Sequence, residues 1–216
     1  GLARWQPPRG RPRFPVWGGA GRALWAIHVR ALRRRAGDAM MRGVGLAVIA
    51  GFAGGLFVRN NHLVGVDAAV MAASVIAVVA IPAQLGAGQV AFTTHRETAW
   101  LAASTGISRA TRIATLAAVV AGIHAIAAGI ASGAVIAIAG ANGWVPAVTV
   151  ATAVGTALCE VRPMLVHAES PTVAARITLG AIVAAAVAIL CLSVLGALGA
   201  LATIAIGVVA IGVVKP

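Results

Sequence analysis

Carboxylates are nearly missing from this sequence. Five acidic residues among 216 leave little for acid–base catalysis, and no two of them share one apolar run. No His-Glu-x-x-His metal motif occurs. There are two cysteines, Cys159 and Cys191. They sit at or inside apolar runs with no Cys-x-x-Cys or Cys/His cluster, so they read as small buried apolar residues and no metal site is expected. Lysine occurs once, as Lys215. No Gly-x-x-x-x-Gly-Lys-Ser/Thr phosphate loop is therefore present, and the chain carries no nucleotide site of its own. Charge is low overall, 10% of residues against about 25% for a soluble domain. Residues 1–42 lack the apolar centre of a signal peptide.

What fills the sequence is apolar: 60% hydrophobic residues and a mean hydropathy of +0.96. The apolar residues form continuous runs rich in Ala, Gly, Val and Ile, not the alternating pattern of a barrel strand. A bilayer core of ~30 Å needs about 20 helical residues. The expectation is an all-α polytopic membrane protein with six spans, at about 43–58, 68–91, 112–139, 145–159, 177–195 and 198–214. Pro82 should kink the second span. Gly51-x-x-x-Gly55 in the first allows close approach of another helix.

The polar residues are placed as selectively. Residues 1–20 hold Pro7, Pro8, Pro12 and Pro15 with four arginines and read as an irregular basic tail. Residues 21–42 read as an amphipathic helix. Leu24, Trp25, Ile27, Val29, Ala31 and Leu32 lie on one side and Arg30, Arg33 and Arg34 on the other, which suits the membrane interface and lipid phosphates. The net charge of +12 does not point to nucleic acid, because the basic residues flank apolar runs. With both termini inside, sixteen of them fall on the inner segments and only Arg59 on the outer. That bias sets the orientation in a plasma membrane.

Residues 92–115, FTTHRETAWLAASTGISRATRIAT, are the one long polar stretch in the middle of the chain. Thr94-x-x-Glu97 matches a capping box, Gly106 a helix stop and Ser108 the cap of the next helix. This predicts a cytoplasmic helix over 95–105 with Glu97, Trp100, Leu101 and Ser104 on one face. Apolar area rimmed by charge suits protein docking; a turn resting on the membrane surface is the plainer reading. Within the spans, Gln84, His124, Thr149, Thr152 and Thr156 are candidate pathway-lining groups, or hydroxyls satisfied by their own helices. Asp67 and Glu160 are expected at the two membrane boundaries, which counts against proton-driven transport. Ser132 in Gly-Ile-Ala-Ser-Gly, eight residues after His124, does not meet the usual intramembrane serine protease pattern.

Arg96-Glu97, Trp100-Leu101, and Gly106-Ile107-Ser108-Arg109 before a span resemble the first cytoplasmic loop of type-two ABC exporter permeases. The resemblance in architecture covers about residues 21–214; the motif covers about fifteen residues. It implies a coupling helix that docks on a separate ATP-binding subunit through Arg96, Glu97, Trp100, Leu101, Ser104, Ser108 and Arg109. It also implies a connecting helix before the first span, and a dimer with a second permease copy or a related permease. No cofactor is expected in this chain; ATP and Mg would be bound by the partner ATPase. The short link near Gly196–Gly199 departs from the family, many members of which carry extra outer helices there. Other readings are a secondary transporter of two three-span halves and a membrane scaffold or assembly protein.

Overall fold

The computed structural model describes residues 19–83, 85–140, 143–166 and 173–213. The predicted basic tail over 1–20 lies almost wholly outside the described residues, as does Gln84. Among the described residues the secondary structure is entirely helical. In chain order the helices are α1 (Ala20–Arg35), α2 (Gly37–Asn60), α3 (Gly65–Ala83), α4 (Leu85–Glu97), α5 (Ala99–Ser104), α6 (Arg109–Ala139), α7 (Trp144–Val166), α8 (Val173–Leu195) and α9 (Leu198–Gly212). Four of them, α2, α6, α7 and α8, are long and apolar enough to cross a bilayer, which gives the chain the character of a membrane protein. Shorter apolar helices cover Gly65–Val78 and Leu198–Gly212.

Small residues determine how closely these helices pack. Without a hydrophobic drive between helices in lipid, association relies on van der Waals contact and close backbone approach. At Gly51 of α2 a Cβ would lie 2.3 Å from the Ala131 carbonyl oxygen of α6, and at Gly55 it would meet Ile138 and Val135. Gly155 of α7 lies against the Thr203–Ile204 backbone of α9 in the same way. One core joins Ala47, Ala50, Ala69, Ala72, Ala131 and Val135; a second joins Leu116, Val120, Val161, Met164 and Ile177.

Several helix boundaries differ from expectation. The amphipathic helix ends at Arg35, and residues 37–42 already belong to α2. α1 buries Leu24, His28 and Leu32 at i, i+4 and i+8 and leaves Trp25 and Val29 exposed beside its arginines. The buried stripe therefore includes a histidine that apolar patterning passes over. The second expected span is covered by α3, which runs through Pro82 to Ala83, and by α4 from Leu85; Gln84 between them lies outside the described residues. The fourth, expected to end at about residue 159, runs on to Val166, through Arg162 and Pro163, whose charge and missing N–H read locally as a loop. Val161 and Met164 on either side of this pair are fully buried, so packing against neighbouring helices holds this stretch helical despite the interior proline.

Candidate functional site

Two polar places stand out against the apolar bundle. The first is the junction where the end of α4, the short α5 and the start of α6 meet α1. The predicted capping box is not formed there. Thr94 lies inside α4, its hydroxyl donating to the Val90 carbonyl at 2.8 Å, because a threonine within a helix bonds its own preceding turn. The Glu97 carboxylate instead accepts from Arg35 Nη1 at 2.7 Å. The helix expected over 95–105 is broken at Thr98, leaving six residues in α5. Gly106, at φ +68°, ends it. The Ile107 N–H donates to the Ala102 carbonyl at 2.9 Å, the six-to-one bond of a Schellman turn, which a glycine in the left-handed region permits. Ser108 Oγ accepts from the Thr111 N–H at 3.1 Å and caps α6.

Behind this ledge the packing is tight. The His28 and His95 rings stand 6.4 Å apart, His28 Nδ1 is 2.8 Å from the Leu24 carbonyl, and Arg112 donates to the His95 carbonyl at 3.4 Å. Burial, reinforced by the positive charge of Arg112 and by His28, pulls His95 down to about 4. Burial also lowers His28, against a smaller upward pull from the Leu24 carbonyl. In front of the ledge Trp100 is 70% exposed. Arg96, Ser104, Ser108 and Arg109 are exposed around it, while Leu101 is half-buried and Ala102 fully buried. Arg96 sits 6.0 Å from the centre of the Phe92 ring. The Ser104 hydroxyl is taken up by the Leu101 carbonyl. The predicted docking residues thus fall at the end of α4, on α5 and at the start of α6, where all but Leu101 are exposed.

The second place is inside the bundle. His124 Nε2 of α6 lies 3.5 Å from Glu160 Oε2 of α7, with both side chains 1% exposed. Neither ring nitrogen and neither carboxylate oxygen has a hydrogen bond among the described residues. Glu160, expected at the inner end of its span, is thus turned into the protein interior against His124. α6 ends at Ala139, capped by Gly140, and α7 begins at Trp144; the two pack side by side with His124 and Glu160 in contact. His124 lies sixteen residues before Gly140 and Glu160 sixteen after Trp144, so both sit about 24 Å along their helices from those ends. Ionisable groups buried this fully inside a helical bundle are costly and pair with one another. One proton shared by the two leaves the pair neutral, whichever group holds it.

The threonines of α7 are buried on one face. Thr152 donates to the Val148 carbonyl and Thr156 to those of Thr152 and Ala153, while the Thr149 hydroxyl has no partner among the described residues. Ser132 is spent likewise on the Ala128 carbonyl and lies two helical turns from His124. Among the described residues no three His, Cys, Asp or Glu side chains gather as metal ligands. Sequence reasoning singled out His124 but missed its partner, because Pro163 and Arg162 signalled a loop. Had α7 been continued past them, counting residues from the end of α6 and the start of α7 would have placed Glu160 level with His124. No family model matches the chain, and no curated protein or solved structure matches it either.

Proposed function

We propose that this chain is the membrane-spanning subunit of an ATP-driven transporter of the type-two ABC exporter permease kind. In this reading α2, α3 with the start of α4, α6, α7, α8 and α9 make six spans. Both termini lie on the cytoplasmic side of the plasma membrane, and a second permease copy completes a dimer. The cargo is hydrophobic or amphipathic. The observation that carries the reading is the segment around α5: Trp100 is exposed, as are Arg96, Ser104 and Arg109 on either side of it in the chain, and the segment is tied back to α1 by Arg35–Glu97. A short helix moves with the spans on either side when its ends are fixed, and here one end is pinned by an ion pair and the other by a capped helix start. ATP and Mg would be bound by the partner ATPase.

The test is co-purification of an ATP-binding subunit with the full chain. Trp100→Asp should abolish capture by removing the exposed apolar centre, a loss on the scale of an interface hot spot, about 2 kcal/mol or more. Arg35–Glu97 is half-exposed on both sides, so breaking it costs the fold itself at most about 1 kcal/mol. Glu97→Arg should therefore leave the chain folded and still lose the partner. An ATPase retained by both variants overturns the reading.

The His124–Glu160 pair favours a second reading, a proton-coupled secondary transporter. Transport by the isolated chain in vesicles with an imposed pH gradient and no nucleotide would establish it in place of the first.

A further inference from the structure

A groove of about 570 Å³ opens along α8, walled by the end of α7 on one side and by α9 on the other. Its long walls are aliphatic, with Leu179, Val183 and Val187 on α8 and Ile206 on α9. At the α7–α8 end it is bounded by two guanidinium groups, Arg162 and Arg176. From Arg176 to Val187 is eleven residues, about 16 Å of helix, close to the ~15 Å of hydrocarbon in one leaflet. Between the helices Pro163 and Gly180 close up: a Cβ on Gly180 would stand 2.6 Å from the proline Cγ. Cys159, one turn before Pro163, also lines the groove.

We propose that this groove is a binding site for an anionic phospholipid of the surrounding bilayer, its phosphodiester on Arg162 and Arg176 and one acyl chain along α8. The groove joins a cationic mouth to a one-leaflet apolar channel, and an amphipathic anion has that same division. Arginine suits the head because its planar fork donates two hydrogen bonds to one phosphate. Basic pockets between spanning helices on the cytoplasmic side recognise anionic headgroups in this way. Placement in the inner leaflet rests on the orientation proposed above; the site itself depends neither on that orientation nor on ATP coupling.

Cys159 is half-buried in the groove and reports its occupancy. The experiment is maleimide labelling of Cys159 in the full chain carrying Cys191→Ala, purified in detergent. Phosphatidylglycerol is added in one arm and phosphatidylcholine with the same acyl chains in the other. Counting Arg162 alone, the mouth gives the anionic lipid a preference of about fivefold. Phosphatidylglycerol should thus slow labelling at correspondingly lower concentration. Arg162→Gln with Arg176→Gln should abolish the preference, and Arg162→Lys with Arg176→Lys should keep most of it. Equal protection by the two lipids in the parent chain overturns the proposal, and that comparison stands even if the neutralised variant fails to fold. So does a preference that survives neutralisation of both arginines in a folded variant. Protection that follows protein concentration and ignores lipid would assign the groove to a second copy of the chain.

Discussion

Mild acid should loosen the α1–α4–α6 junction, and His95 should be the main reason. His95 is 8% exposed. Its folded value of about 4, set by burial and then by the charges of Arg112 and His28, lies below the ordinary 6.5. The folded chain therefore takes up this proton less readily than the unfolded chain. The stability contributed by neutral His95 is complete above pH ~6.5, declines as pH falls, and is gone below about pH 4. At about 1.4 kcal/mol per pH unit, the loss from neutral pH down to pH 5 is about 2 kcal/mol and the full loss about 3 kcal/mol. Thermal unfolding in detergent at a series of pH values measures it, with the fluorescence of Trp25 and Trp100 reporting on α1 and α5. Other groups titrate over the same range, so the quantity to read is the difference between the parent chain and His95→Gln, which cannot take the proton. The difference should open below pH 6.5 and close to a plateau near pH 4. Arg112→Gln removes the second cause and should shrink it. Parallel melting curves for the parent and His95→Gln would refute the reasoning.

Further outcomes follow from the packing. Gly51→Leu should cost about 1–3 kcal/mol or more in thermal stability, since even its Cβ meets the Ala131 carbonyl and α2 and α6 must separate; Gly45→Leu, with nothing within 4 Å, is the neutral control. Thr149→Val should stabilise by about 1 kcal/mol, because it removes a buried hydroxyl without a partner among the described residues. His124→Leu or Glu160→Leu alone should cost about 3–5 kcal/mol and the double replacement much less, as expected when the first change strands a buried ionisable partner; strictly additive unfolding energies would argue against the pairing. Gly106→Ala should cost about 1 kcal/mol through its left-handed backbone, read as earlier proteolytic cleavage near α5.

Chain composition alone determined the helical membrane character. Long uncharged runs cannot leave their backbone groups unpaired in lipid, so they fold as helices whatever their neighbours do. Ser108 as a helix cap and Gly106 as a helix stop were legible for a similar reason: each acts through a bond between residues no more than five positions apart. Features that depend on a distant partner were not legible. Glu97 was read as a capping residue because Thr94 stands three before it, and nothing nearby announces Arg35, sixty-two positions earlier. Pro163 read as a loop because its local cost is plain, while the burial of Val161 and Met164 that offsets it comes from other helices. The same continuation of α7 carries Glu160 inward to His124 and gives Pro163 a place against Gly180. The division follows from range. Bonds within one helical turn are encoded by adjacent residues, whereas ion pairs and packing across the bundle exist only once the helices have been brought side by side.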